Sequence, residues 1–459
     1  MTQKLISTNP SRNYEAIGAI SVSSINEIRA AVSAAHRAKL QWQALGVEGR
    51  ASLLRQVIGR FRKRSEEMAS LIAQEMGMPI REARDDVVFA LKYLETYIEQ
   101  AQTMLEPHVT YESEREVHTV YQIPLGVVAC IVPWNFPMGN FVWQCGQNLI
   151  AGNTVIFKTS ELTPLCGKLI EEVINSVLPS GVFAEVYGNG AVGRQITAQN
   201  IDAVFFTGSS AAGKAINKTV ADRLLPTNME LGGSAPGIVF EDATTKALAD
   251  TLYTARFLNN GQVCDGLKRL IVHESKLDEV VYLLQDIIAR KRIGDALDET
   301  TDLGPLAAKD QLKLLKAQVQ DSIDKGARVI CGGKKPSILK GAYFEPTIIT
   351  GITRDMRVWL EEVFGPVLPV ISFRTELEAI TLANDTRYGL GGYIFTADAD
   401  RFERVATALE TCMISHNGLS YVRPQNFFGG CKMSGHGREH AKFGFAEVTQ
   451  TKLIVRSKS

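Results

Sequence analysis

From Val127 onward the chain alternates short, continuous apolar runs with amphipathic stretches. That rhythm restricts the fold more than any other feature. Val127-Val128-Ala129-Cys130-Ile131-Val132 reads as a strand buried on both faces. Asn153–Lys158, 182–187 and Ala203-Val204-Phe205-Phe206 repeat the pattern, with helices expected after Pro137, over 162–177 and from Val192. Buried strands separated by helices imply a parallel, doubly wound sheet covered by helices on both faces. Such sheets bind ligands at the carboxyl ends of their strands. Asn135, Lys158 and Thr207-Gly208-Ser209 fall at those ends.

The second half repeats the style. Helices are expected over 244–258, 276–292, 309–325 and 376–384, and strands over Arg269–His273, 328–331, up to Phe373, and over Gly392–Phe395. Ahead of the first strand, Ser24-Ile25-Asn26-Glu27 forms a capping box. Apolar residues at helical spacing then predict helices from Ile25 to about Gly46, over 49–76 and over 80–104. Glu114–Gln122 alternates polar and apolar residues as an exposed strand or hairpin does, and Phe445–Val455 is again β-like. With no internal repeat and no low-complexity linker, the domains are expected to be interwoven.

Composition removes several classes of function. Lys+Arg and Asp+Glu both number 50, which leaves no net field for nucleic acid or an anionic membrane. The longest purely apolar run, Val127–Pro133, is far short of a membrane span, and Met1–Arg12 has no apolar signal core. Seven cysteines without a Cys-x-x-Cys argue against a disulfide framework or structural zinc, so a reducing, cytoplasmic setting is expected. His436-Gly437-Arg438-Glu439-His440 matches a zinc pattern whose ligands must share a helix. Gly435 and Gly437 oppose one, and no metal is expected.

One cysteine stands apart. Cys264 follows Asn260-Gly261-Gln262-Val263 and precedes the basic pair Lys268-Arg269. A reachable thiol with a depressed pKa is a nucleophile, whereas most free cysteines are small buried hydrophobes. Asn135, in the rigid turn Trp134-Asn135-Phe136-Pro137, can donate to an oxyanion or simply form an Asx turn. Glu230, in Met229-Glu230-Leu231-Gly232-Gly233, sits in an apolar, Gly-rich setting. Desolvation there raises a carboxyl toward a general base; the plainer reading is an exposed glutamate. Two glycine signals compete for a phosphate. Gly188-Asn189-Gly190-Ala191-Val192-Gly193 fits G-x-G-x-x-G but lacks the acidic partner at the next strand end. Phe206-Thr207-Gly208-Ser209 runs from a strand into a helix start and is preferred for pyrophosphate contact.

Taken together, these segments resemble the aldehyde dehydrogenase superfamily over nearly the whole chain. The resemblance is carried by Pro133–Pro137, Lys158-Thr159-Ser160-Glu161, Phe206–Ser209, Glu230–Gly233, Asn260–Cys264, Glu361-Glu362-Val363-Phe364-Gly365-Pro366, Phe428-Gly429-Gly430 and Ser434–Glu439. It implies a Rossmann-like cofactor domain (1–105 and 125–232), a catalytic domain (233–426), and a β oligomerisation arm (106–124 and 440–459) that makes a homodimer or homotetramer. Cys264 would attack the aldehyde carbon, and the oxyanion would be held by the Asn135 amide and the Cys264 N–H. Hydride transfer would leave a thioester that Glu230 hydrolyses through water. The presence of Glu230 favours a free acid over transfer to coenzyme A.

The resemblance also places Trp134, Lys158, Glu161, Thr207, Gly208, Ser209, Glu362 and Phe364 at the cofactor. Glu161 at the ribose 2′-hydroxyl favours NAD over NADP. The substrate tunnel would be lined by Phe136, Trp143 and Phe428, with Arg423 as a possible carboxylate clamp. Relatives acting on succinate semialdehyde usually carry arginines where this chain has Trp143 and Leu258. The substrate reading therefore stays open between a semialdehyde and a general aliphatic or aromatic aldehyde. Two other functional classes remain: a non-redox cysteine esterase and a fold-retaining binding protein.

Overall fold

A computed structural model describes residues 3–458. Two parallel sheets organise it. The first has the strand order Gly435–His436, Thr227–Glu230, Ala203–Thr207, Val127–Ile131, Thr154–Lys158, Phe183–Glu185, parallel except at the outermost Gly435–His436. Every residue of Val127–Ile131 and Thr154–Lys158 is buried, which is why their sequence is continuous rather than alternating. Each Val or Ile packed there contributes about 1.5–3 kcal/mol of apolar transfer. The chain winds outward from Val127–Ile131 to Phe183–Glu185, then returns to build the other side from Ala203–Thr207. The reversal leaves a crevice between those two halves, where Trp134–Phe136 and Thr207–Ser209 project.

The second sheet has the order Arg328–Cys331, Thr347–Thr350, Val367–Phe373, Leu267–His273, Ala235–Val239, Gly391–Phe395, Met413–His416. It is parallel except at the Arg328–Cys331 edge. Both sheets carry helices, so the α/β, doubly wound expectation holds. The sheets meet differently. The first offers the cleft its carboxyl ends, whereas residues 264–266 and 361–364 precede strands Leu267–His273 and Val367–Phe373 and so come from amino ends.

Strands His108–Glu112, Glu116–Pro124 and Thr449–Ser457 form a separate antiparallel sheet. A hairpin of Lys4–Asn9 with Glu15–Ser21 forms from the polar N-terminal stretch, where no element was expected. Two further expectations need correction. The helix read over 49–76 is two helices, Gly46–Lys63 and Ser65–Met76, broken at Arg64 (φ −113°, ψ 18°). Leu54, Val57, Phe61, Met68 and Ile72 keep one apolar face across the break, which hides it from periodicity. Phe445 belongs to helix Ala441–Glu447, and the last strand begins only at Thr449. The capping box forms as read: Ser24 N donates to Glu27 Oε2 at 2.7 Å, and Ser24 Oγ accepts from Glu27 N at 3.3 Å.

Candidate active site

A cavity of about 730 Å3 runs along the junction of the two sheets. Cys264, Asn135, Trp134, Phe136, Trp143, Thr207, Gly208, Ser209, Glu362, Phe364 and Phe428 all line it. Cys264 sits in an irregular turn. Asn259 and Asn260 adopt left-handed backbone (φ 49° and 56°), and at Gly261 (φ 72°) a Cβ would meet the Gly365 carbonyl. Asn260 Nδ2 pins the turn by donating to the carbonyls of Gly77 (3.2 Å) and Pro305 (3.0 Å), and Gln262 Oε1 accepts from Ala307 N at 3.0 Å.

The turn presents a thiol that is not yet a thiolate. Burial, then the carboxylate of Asp265, push the Cys264 pKa well above its usual value, with Glu362 and Glu230 adding to the effect. Lys268 is the cation that opposes them.

Asn135 is 6% exposed and held from two sides. Asn140 Nδ2 donates to its Oδ1 at 3.2 Å, and Asn259 Nδ2 donates to its backbone carbonyl at 2.7 Å. With the oxygen occupied, its Nδ2 faces the nucleophile turn and donates to Gln262 O at 3.1 Å.

Glu230 ends strand Thr227–Glu230 and is 2% exposed, and neither carboxylate oxygen has a hydrogen-bond partner among the described residues. It does not line the cavity; a Cβ on Gly429 would lie 2.8 Å from its Oε1. Burial, and then the charge of Glu439, hold its pKa well above the carboxylate range, against Arg438. A buried carboxylate without a hydrogen-bond partner calls for an explanation beyond packing.

At the other end of the cavity Trp134 and Phe364 pack edge to face, with centroids 5.7 Å apart. Leu231 and Gly232 line the same end, and a Cβ on Gly232 would run into the Glu362 carboxylate. Ser209 caps helix Ser210–Val220, its Oγ accepting from Ala212 N at 3.3 Å. Thr207 Oγ1 accepts from Gln144 Nε2 at 2.7 Å. Lys158 and Glu161 lie apart from this cavity, at the end of strand Thr154–Lys158. Lys158 is 3% exposed, donates to Thr159 O at 2.9 Å and sits 3.8 Å from Glu161. An apolar slot, a helix N-terminus and the carboxylate of Glu362 in one cavity fit a dinucleotide. The G-x-G-x-x-G stretch does not line the cavity. Asn189 caps helix Gly190–Thr197, and a Cβ on Gly188 would strike Val192, so close packing explains that glycine.

At the substrate end the Trp143 ring lies 4.9 Å from Phe428 and 6.3 Å from Phe89. Phe136, Val263, Leu419 and Tyr421 continue the apolar wall. Arg423 is exposed and outside the lining, so the clamp expected there is not part of the wall. His436 pairs with Met229 in a strand and meets Thr227, while His440 is buried against Tyr97; the two do not share a helix. Among the described residues no three metal-ligating side chains cluster.

Several residues escaped the sequence reading. Lys268 is 1% exposed and Glu439 5% exposed, though each stands in a charged dipeptide that resembles surface. Gln144 Nε2 donates to Glu439 Oε1 at 2.5 Å, linking that carboxylate to Thr207.

Two facing doubly wound sheets, with a cysteine, an amide and a buried glutamate where they meet, make the architecture of enzymes that oxidise aldehydes with NAD or NADP. The chain belongs to the aldehyde dehydrogenase family, whose model matches residues 1–454. It is 39% identical over 434 residues to a succinate-semialdehyde dehydrogenase [NADP(+)] of Deinococcus radiodurans, covering 93% of this chain and 90% of that one. It is 37% identical to a chloroplastic betaine aldehyde dehydrogenase of Beta vulgaris, covering 97% of this chain and 92% of the relative. A crystal structure of PnpE in complex with nicotinamide adenine dinucleotide superposes with a TM-score of 0.96 at 34% identity, covering 99% of this chain and 94% of that one. The protein is an NAD(P)-dependent aldehyde dehydrogenase; these matches do not favour the esterase and binding-protein readings. Among the described residues no helix is long and apolar enough to cross a membrane.

Proposed function

We propose that Cys264 is the nucleophile, Asn135 the oxyanion donor and Glu230 the base in oxidation of an aldehyde to a free carboxylic acid. The observation that carries this reading is the Asn135 amide, locked with its N–H toward the Cys264 turn by Asn140. Cys264 gives up its proton to solvent, and the thiolate sulfur adds to the aldehyde carbon to give a thiohemiacetal. Asn135 Nδ2 and the Cys264 N–H stabilise its oxygen. The bound nicotinamide supplies the hydride acceptor. Collapse of the oxyanion leaves a thioester on Cys264. Glu230 then takes a proton from water as it attacks the thioester, the carboxylic acid leaves, and the cysteine is restored. Replacing Cys264 with Ala is expected to abolish aldehyde-dependent NAD(P)H formation; retained turnover overturns the assignment.

Trp134, Thr207, Gly208, Ser209, Glu362 and Phe364 hold the nicotinamide half of the cofactor in this reading, and Lys158 with Glu161 the adenosine ribose. A carboxylate at Glu161 accepts from a 2′-hydroxyl and repels a 2′-phosphate, which supports NAD as the preferred form. The Deinococcus relative carries NADP(+) in its name, so the comparison to make is kcat/KM with each cofactor in wild type and Glu161→Ser. A fall in the NAD/NADP ratio supports the reading, and an unchanged ratio removes it.

The aromatic wall of Trp143, Phe136 and Phe428 favours an apolar or aromatic aldehyde over an anionic semialdehyde. Arg387 is the one Lys or Arg among the lining residues, and it stands beside Tyr388 in the stretch before strand Gly391–Phe395. Comparing kcat/KM for aromatic aldehydes and succinate semialdehyde tests this; a preference for the semialdehyde reverses it. The antiparallel sheet of His108–Glu112, Glu116–Pro124 and Thr449–Ser457 serves in this reading as the oligomerisation arm of a homodimer or homotetramer.

A further inference from the structure

The cavity and the carboxylates of Glu230 and Glu362 belong to the site already described. Lys268 does not. A fully enclosed ammonium is costly unless its hydrogens are all used. Lys268 Nζ donates to Gly233 O at 2.9 Å, to Cys264 O at 3.0 Å, and to Glu362 Oε1. Those three acceptors come from three different segments. Gly233 follows Glu230 in the loop leaving the first sheet, Cys264 is the nucleophile itself, and Glu362 belongs to the loop before Val367–Phe373. The packing between them is close: a Cβ on Gly233 would lie 2.5 Å from Cys264 O, and Glu362 Oε1 also accepts from Gly233 N at 3.1 Å. The Lys268 ammonium lies 5.1 Å from the centroid of the Phe364 ring.

We infer that Lys268 is a positioning residue that fastens the nucleophile turn to the base loop and to Glu362, and that its ammonium is the cation that makes the Cys264 thiolate accessible. The inference rests on Cys264 being the nucleophile. Around that sulfur stand the carboxyls of Asp265, with Oδ1 3.9 Å away, Glu362 and Glu230, together with the Tyr393 hydroxyl. All of them oppose ionisation or are neutral. Arg256, also buried nearby, spends its guanidinium on the carbonyls of Leu267, Val363 and Gly365. Lys268 is therefore the counter-charge to the thiolate, and Glu362 is the group that partly cancels it. Removing the cation should then raise the thiol pKa while Lys268→Arg leaves it near wild type, which a purely structural role for Lys268 does not require.

The test is the rate of iodoacetamide alkylation as a function of pH, with the label located by peptide mass spectrometry, in wild type, Lys268→Met, Lys268→Arg and Glu362→Gln. Lys268→Met is expected to slow Cys264 alkylation about tenfold at pH 7 and move its midpoint up by about one unit. Lys268→Arg is expected to restore most of the rate, and Glu362→Gln to exceed wild type about threefold or more, roughly a half-unit fall in the thiol pKa. If Lys268→Met does not fold, Lys268→Gln, which keeps a donor without the charge, takes its place and must show the same slowing. A rate unchanged or slower in Glu362→Gln, or a folded Lys268→Met that alkylates like wild type, overturns the inference. A wild-type label found on Cys412 or Cys431 and not on Cys264 would instead overturn the choice of nucleophile.

Discussion

The Asn140 side chain donates to Asn135 Oδ1 at 3.2 Å, and this bond fixes which end of the Asn135 amide faces Cys264. If the amide donates to the oxyanion, Asn135→Ala is expected to lower kcat by about 10²–10³, the usual loss for one oxyanion donor. Asn140→Leu leaves the donor present but free to turn, so a smaller loss, about tenfold, is expected with KM for the cofactor unchanged. Steady-state kinetics check both. An Asn140→Leu enzyme as slow as Asn135→Ala would show that Asn140 does more than orient its neighbour.

Glu230 and Glu439 share one buried pocket, and burial holds both carboxyl pKa values above their ordinary range. A base must be deprotonated to act, so the rate of thioester hydrolysis rises with pH as Glu230 ionises. The charge of Glu439 opposes that ionisation. Glu439→Gln is therefore expected to move the rising limb of the kcat–pH profile to lower pH, while its side-chain oxygen can still accept from Gln144. A limb that stays in place or moves to higher pH contradicts the coupling.

Buried acids also shape stability. Glu75, Glu82 and Asp86 are each pushed up to about 7 by burial, although each accepts backbone N–H bonds. Their folded pKa values exceed the unfolded ones, so their contribution is complete below the unfolded values and is lost as pH rises through about 7. His440 has the opposite sense. Burial lowers it to about 3, so its contribution is present above the unfolded value near 6.5 and is lost as pH falls toward 3. Three acids outweigh one histidine, so Tm is expected to fall between about pH 5 and pH 7. A Tm that climbs steadily from about pH 5 to pH 7 would contradict this ordering.

In the three-stranded sheet, Leu453 and Val455 alternate onto one face of the last strand and are 57% and 50% exposed. Val109 and Tyr111, on strand His108–Glu112, are likewise 55% and 53% exposed. In the proposed oligomerisation arm these apolar side chains would form the contact surface. Leu453→Lys combined with Val455→Lys is expected to shift the protein to a smaller species in light scattering without changing its helix signal. An unchanged mass would remove this face from the assembly.

Much of this was legible because burial leaves a local trace. Val127–Ile131 and Thr154–Lys158 are enclosed on both faces, so their identity as parallel strands is written in consecutive residues. Cys264 and Asn135 stood out through turn chemistry and Phe428 through the resemblance alone, and the structure brings all three to the cavity. What stayed hidden depends on distant partners. Lys268-Arg269 reads only as a basic pair after Cys264, and the enclosure of the lysine comes from Gly233 and Glu362, 35 and 94 residues away. Arg438-Glu439 misleads in the same way, because Gln144, 295 residues away, hydrogen-bonds the buried glutamate. Arg423 failed in the opposite sense: its position near Phe428 in sequence suggested a clamp, yet its loop leaves it in solvent.

The most direct measurement is mass spectrometry of the enzyme quenched during turnover with Glu230→Gln. If Cys264 carries the acyl group and Glu230 hydrolyses it, one equivalent of NAD(P)H forms in a burst and the acyl mass accumulates on the Cys264 peptide. A variant that turns over at the wild-type rate, or one whose acyl group is found on any other residue, would contradict the account.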